Sequence, residues 1–290
     1  MTSCKTRLLG AIGYPNRVAR TPMIISSFCE SAGEDYAYLL YEFPPDRLTD
    51  AVRGLKALGA AGFNVTMPYK QAILDFLDVL DPEAEELNAV NTVVIRDGKL
   101  HGYNTDYIGF KNSLRDYGID PAGKRAVVIG AGAVSGPVRL ALAQAGTGHV
   151  TWLGRTVEKA ERCAAAMNAR VPGIASAAAL TREALNEEIA RSELIFDITP
   201  VGMATNSVKE HDFDAGLLGP GKVVYHVVYS PWETPILRAA RERGAFAVNG
   251  ARMSLLQAKA SFEIWTGSEV DKNVLESTLK RVEATVRGGN

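Results

Sequence analysis

Apolar and polar positions alternate along the chain in short blocks. Residues 8–12, 36–43 and 62–65 are compact, β-rich runs, and 22–32 and 48–58 carry apolar residues at helical spacing. That alternation predicts βαβ units and a mostly parallel sheet. The pattern changes near residue 88. Runs 92–96 and 99–103 flank Asp97-Gly98, a strong hairpin signal. A helix is expected over 107–117, closed by Gly118 and the turn Asp120-Pro121-Ala122-Gly123-Lys124, so a hinge is placed between 104 and 123. A second series follows, with strands at 126–129, 149–153, 194–199, 222–228 and 246–249, and helices to about 145, at 157–168 and at 235–243. From residue 251 the chain is almost entirely helix-compatible and is expected to pack back on the first domain. The expected division is 1–105 with 250–290 in one domain and 106–249 in the other.

A length of 290 residues suits two domains of about 150. Thirty-two Lys and Arg against 33 Asp and Glu leave a net charge of −1, which gives no field for capturing a nucleic acid or an anionic membrane surface. No apolar run approaches the roughly 20 residues that span a bilayer. The first residues read as a strand rather than a signal peptide. Cys4, Cys29 and Cys163 are odd in number and far apart, which points to a reducing compartment such as the cytoplasm. The four histidines are scattered without ligand spacing, so no metal site is expected.

Val127-Val128-Ile129 leads into Gly130-Ala131-Gly132-Ala133-Val134-Ser135-Gly136, a glycine-rich turn between a strand and a helix. This is the context of a dinucleotide fingerprint. Gly130 permits the tight turn, Gly132 lets a pyrophosphate approach the backbone, and Ser135 is small enough for close helix–strand packing. The helix N-terminus adds donors and partial positive charge. A ligand-free βα turn is the competing reading. The next strand ends at Gly154-Arg155-Thr156, with Lys159 one turn on and no carboxylate at the tip. A carboxylate would repel a 2′-phosphate, whereas Arg155 can fork around one, so NADP is favoured over NAD. An ordinary solvated helix start would also account for Arg155 and Lys159.

Three polar clusters in the first half are hard to explain as packing: Asn64-Val65-Thr66-Met67-Pro68-Tyr69-Lys70, Asn88-Ala89-Val90-Asn91-Thr92, and Asn104-Thr105-Asp106. Each lies at a predicted strand end, where open α/β sheets bind ligands. One Lys and one Asp set among Asn and Thr suit proton transfer coupled to recognition of a polyol, since a lysine in a partly dry cleft loses some preference for its charged form. Lys70 alone could be a solvated helix start, and Asp106 an N-cap.

In this order, these strings resemble the shikimate/quinate dehydrogenase family over essentially the whole chain. Thr199-Pro200-Val201-Gly202-Met203, Tyr229-Ser230-Pro231 and Gln257-Ala258 extend the match. The resemblance implies an α/β fold: an N-terminal α/β substrate domain, a Rossmann-type doubly wound NAD(P)-binding domain, and C-terminal helices returning to the first domain, with a cleft between the domains. It implies reversible hydride transfer between nicotinamide and C3 of a cyclic polyhydroxy carboxylate, in a monomer or homodimer serving aromatic amino acid biosynthesis. Lys70 and Asp106 would be the catalytic pair. Thr21, Asn64, Thr66, Asn91, Tyr229 and Gln257 would bind substrate. Gly130, Ala131, Gly132, Ala133, Val134, Ser135, Arg155, Thr156, Lys159, Thr199, Pro200, Gly250 and Met253 would bind the cofactor.

The departures are local. After Gly13-Tyr14-Pro15 the family carries two hydroxyl residues two apart; here Ala19 replaces one and Thr21 keeps the other. Tyr107 replaces a glycine, Asp197 a frequent asparagine, and His226 an aspartate. Quinate or an amino analogue of shikimate is therefore an alternative substrate, and a non-catalytic NADP-binding regulator an alternative role.

Overall fold

The computed structural model describes residues 3–16 and 20–288. Ala19 lies outside the described residues. The chain divides into two compact units, Met1–Gly109 with Ser254–Val282, and Phe110–Met253 with Glu283–Asn290.

The first unit runs through β1 (Arg7–Gly13), α1 (Thr21–Ala32), β2 (Tyr36–Glu42), α2 (Leu48–Ala57), β3 (Gly62–Val65), α3 (Tyr69–Ala72), β4 (Val79–Leu80), α4 (Pro82–Leu87), β5 (Thr92–Arg96) and β6 (Lys99–Tyr103) into α5 (Thr105–Asp116). Its sheet order is β2-β1-β3-β5-β6-β4. β1 is buried along most of its length, as befits a strand covered on both faces. Pro22 in the first turn of α1 and Gly33 in the left-handed region at its end bound that helix. Asp97 and Gly98 both take positive φ, the primed turn that a two-residue hairpin needs. The sheet is mostly parallel, as expected, and β5 alone is reversed, running antiparallel to both β3 and β6. Ile12, Phe63, Tyr69, Ile73, Val93 and Leu100 form the centre of its core.

The second unit contains β7 (Arg125–Ile129), α6 (Ser135–Gln144), β8 (His149–Gly154), α7 (Val157–Arg170), β9 (Ala175–Ala179), α8 (Arg182–Arg191), β10 (Leu194–Asp197), β11 (Val223–His226), α9 (Pro235–Glu242) and β12 (Phe246–Asn249). The remaining chain forms α10 (Ala251–Thr266) and α11 (Lys272–Gly288), parted near Gly267, which takes positive φ. The second sheet has the order β12-β11-β10-β7-β8-β9, all parallel. This is the doubly wound arrangement, and its strand order reverses between β7 and β10. Val127, Val128 and Ile129 are fully buried there. β9 carries little sequence signal, because Ala-Ser-Ala-Ala-Ala has weak strand preference and is held by its pairing with β8; α8 carries a clear one, with Thr181 capping its N-terminus, Glu183 in its first turn and Arg191 in its last. β10 stops two residues short of the expected 199, because the chain turns back on Asp197 there. Among the described residues no helix is long and apolar enough to cross a membrane.

Candidate active site

The register of the first sheet explains why three distant polar strings meet. Asn64, near the carboxyl end of β3, lies opposite Thr92 at the start of antiparallel β5, and Thr92 lies opposite Tyr103 at the end of β6. The residues that flank these positions converge at one end of the sheet. The direct product is a bond from Lys70 Nζ to Asp106 Oδ2 of 2.5 Å, between side chains that are 18% and 14% exposed. Lys70 is held from behind. Its carbonyl accepts from the Val90 N–H, and neighbouring Tyr69 is stacked on Phe43 and donates to that residue's carbonyl. Asn104, rather than Asp106, supplies a capping oxygen to α5: its Oδ1 accepts from the Tyr107 N–H. The Asp106 carboxylate faces Lys70 instead.

Beside this pair is a closed triangle of buried hydroxyls. Thr92 Oγ1, Thr105 Oγ1 and Ser261 Oγ lie 2.9–3.0 Å apart, all three residues fully buried. Asn91 Oδ1 accepts from the Thr105 N–H at 2.7 Å, which fixes the orientation of that amide, since a backbone N–H can only donate. Gln257 Oε1 lies 3.3 Å from Thr105 Oγ1. Asn64 is wholly engaged inside the network: Oδ1 accepts from the Tyr38 hydroxyl, and Nδ2 donates to the Asn91 carbonyl, Thr92 and Ser261. Burial pushes the Tyr38 hydroxyl well above its ordinary range, so it stays a donor. Thr66 is partly exposed, and it sits where Gly13 allows close approach: a Cβ on Gly13 would stand 2.3 Å from Thr66 Cγ2. Thr21 opens α1 and is half-buried. The sequence alone points to no role for Tyr38, Thr105 or Ser261. The signal for Ser261 is a polar residue one turn beyond Gln257 on an otherwise buried helix face.

In the second unit, Gly130 has φ +106°, a conformation that L side chains rarely adopt. Space above Gly132 is open to 4 Å, and the first turn of α6 carries neither an acidic residue nor a side-chain cap. Ala131 and Val134 are half-buried, Ala133 is exposed, and the Ser135 hydroxyl donates to the Gly132 carbonyl. Arg155, Thr156 and Lys159 are exposed at the tip of β8. Open backbone, unopposed helix charge and adjacent cations fit a phosphorylated dinucleotide. Thr199 is half-buried and Pro200 exposed, just beyond β10; Met253 is buried and Tyr229 half-buried. Gly250 has a packing reason of its own, because a Cβ there would stand 1.9 Å from the Val227 carbonyl oxygen. A cavity of about 440 Å³ lined by Lys111, Arg115, Asp120 and Gln144 lies at the other end of α6 and contains none of these residues. Among the described residues no three His, Cys, Asp or Glu side chains are placed to hold a metal ion.

Comparison with known proteins bears on both units. Residues 11–93 match the shikimate dehydrogenase substrate binding domain. A shikimate dehydrogenase (NADP(+)) of Moorella thermoacetica is 38% identical over 284 residues, covering 98% of this chain and 96% of that protein. The crystal structure of shikimate 5-dehydrogenase from Listeria monocytogenes, in complex with shikimate and NAD, superposes with a TM-score of 0.89 at 33% identity, over 96% of this chain and 98% of the other. The ligand-free 5-ketofructose reductase of Gluconobacter sp. strain CHM43 gives 0.85 at 32% identity, over 97% and 100%.

Proposed function

The chain belongs to the shikimate dehydrogenase family, and from that premise we propose that it is an NADP-dependent oxidoreductase interconverting 3-dehydroshikimate and shikimate, or a close analogue. The observation that carries the reading is the 2.5 Å bond between Lys70 and Asp106 among neutral hydroxyl and amide groups. A sensor that only bound ligand would need neither charge there.

Bound NADP would exchange a hydride with the substrate; the glycine-rich turn with Arg155, Thr156 and Lys159 would hold its phosphates, and Thr199, Pro200 and Met253 would hold its nicotinamide end. The remaining chemistry belongs to side chains. In reduction, Lys70 Nζ gives a proton to the carbonyl oxygen as it becomes a hydroxyl; in oxidation it takes that proton back. Asp106 holds Nζ in place and balances its charge. Asn91, whose oxygen is committed to Thr105, offers its amide N–H groups to ring hydroxyls. Gln257, Thr66, Thr21 and Tyr229 complete recognition of the ring and carboxylate. Asn64 supports this surface from within the network. Each polar group that a wrong substrate leaves unpaired costs about 1–3 kcal/mol, which is how such a site selects.

A second reading keeps the chemistry and changes the substrate to quinate or an amino analogue. Ala19, which removes one hydroxyl from the carboxylate loop, favours it. One experiment separates the two: a screen of shikimate, quinate and aminated analogues with NAD and NADP, read at the reduced-nicotinamide band near about 340 nm. Shikimate with NADP should turn over fastest. Faster turnover of another acid favours the second reading, and no turnover of any acid overturns both.

A further inference from the structure

Asp197 and His226 take no part in the proton transfer described above, yet both are completely buried. They end the adjacent parallel strands β10 and β11 in the same register. Asp197 Oδ1 accepts from the Thr199 backbone N–H at 2.9 Å and from the Thr199 hydroxyl at 2.7 Å. Oδ2 faces two imidazoles, with His211 Nε2 at 2.9 Å and His226 Nε2 at 3.4 Å. His226 Nε2 also lies 3.2 Å from the Thr199 carbonyl, and its Nδ1 lies 2.8 Å from the Thr234 hydroxyl. The N–H, hydroxyl and carbonyl of Thr199 are all engaged by this one cluster. Burial works to raise the pKa of Asp197, but the charge on His226 and the hydrogen bond and charge of His211 outweigh it and hold the group below its ordinary value. The carboxylate stays ionised and bonded at neutral pH.

What the cluster grips stands at the switch point of the sheet. A Cβ on Gly130 would come within 2.9 Å of Thr199 Cγ2 and 3.4 Å of the Thr199 nitrogen. Thr199 is thus packed against the first glycine of the turn, in the crevice where a doubly wound sheet receives a nucleotide. A buried carboxylate and two imidazoles are more than a loop needs to stay folded, because apolar packing secures a turn without the desolvation that such groups incur. Their value lies in fixing one residue in one place.

We propose that Asp197, His211 and His226 are positioning residues for the cofactor: they lock Thr199 against the glycine-rich turn and so set how tightly NADP is held. This rests on reading that turn as the NADP site. The test uses the full-length protein and calorimetric titration with NADP+ alone, followed by steady-state kinetics with shikimate. Wild-type protein that binds no NADP+ overturns the cofactor reading and this inference with it. Where wild-type binds, Asp197→Asn and His211→Ala should each raise Kd at least fivefold, with KM for NADP+ rising in step and KM for shikimate within twofold. In His211→Gln the side-chain N–H can replace the imidazole Nε2–H, so Kd should return to within twofold of wild-type. The inference is overturned if His211→Ala, folded by circular dichroism, binds NADP+ within twofold of wild-type, or if His211→Gln binds no better than His211→Ala. The two His211 variants decide the matter even where Asp197→Asn does not fold.

Discussion

The two units place polar groups at strand ends in opposite ways. In the first, Asn64, Asn91, Thr92, Thr105, Ser261 and Gln257 share partners, and most of the groups are neutral hydroxyls and amides. In the second, a carboxylate and two imidazoles converge on the single residue Thr199. A shared network spreads the loss of one atom over its neighbours and reads the shape of a ligand through many small penalties. A charged clamp concentrates its effect on one backbone position. The first arrangement suits discrimination among similar polyols, and the second suits a fixed seat for a cofactor that does not vary. Lys70–Asp106 is the exception, a charged pair inside the neutral network, and it carries the largest expected effect.

Lys70→Ala removes the only ammonium bonded to Asp106 among the described contacts. Turnover should fall about 10²–10⁴-fold, the range of a lost general acid–base group. Calorimetric affinity for NADP should stay within about twofold, because the lysine belongs to the other unit. Turnover that survives the substitution would remove the assigned role, and a parallel loss of NADP affinity would show that the two units do not divide the work as described.

Next in size is Arg155→Asp, which replaces an exposed cation at the tip of β8 with the carboxylate that NAD-specific sites carry. Losing a charge-assisted bond worth about 1.5–3 kcal/mol should weaken NADP roughly 10–100-fold while NAD binds as before. Titrating each dinucleotide separately decides it. Equal change in both affinities would mean that Arg155 does not touch the 2′-phosphate.

How much of this was legible follows from which interactions are local. The glycine turn, the Asp97-Gly98 hairpin and most strands of the second sheet follow from period, propensity and turn chemistry within a few residues, and they appear at nearly the expected positions. Lys70 and Asp106 stood out as lone charges among Asn and Thr, but their bond depends on β3 pairing with β5, and no local pattern encodes which strands become neighbours. Ser261 reaches Thr92 across 169 positions, and His211 reaches Asp197 from a loop with no regular pattern. Both are tertiary events. β9 went unseen because five small residues carry almost no preference until a neighbouring strand holds them.

Ser261→Ala probes the sharing itself. Removing that hydroxyl leaves Thr92, Thr105 and the Asn64 amide to find new partners. Stability should drop by about 1–2 kcal/mol, read as a lower midpoint in urea with an unchanged slope. KM for the acid should rise, and KM for NADP should not. A double-mutant cycle of Ser261→Ala with Thr92→Val should show coupling, and an interaction free energy near zero would make the hydroxyl triangle a set of separate contacts rather than a network.

The smallest expected effect compares one aspartate from each unit. Asp35 is held below its ordinary 3.8 by hydrogen bonds from the Ser3 hydroxyl, then the Thr6 hydroxyl. Asp197 lies below 3.8 despite burial, through His226 and His211. For both, the native state favours the carboxylate more than the unfolded chain does. Their stabilisation is therefore complete above 3.8, and it drains away as pH falls through the lower native values. Neither gives any slope between roughly pH 7 and pH 5, and both steepen the acid limb below roughly pH 4. Asp35→Asn and Asp197→Asn should each flatten that limb when urea midpoints are followed across it. Asp35 is only half-buried and is reached by solvent and salt, whereas Asp197 is fully buried, so the share of Asp35 should be the smaller. A limb flattened more by Asp35→Asn than by Asp197→Asn would place the acid sensitivity of this fold at its surface and not in the clamp beside the glycine-rich turn.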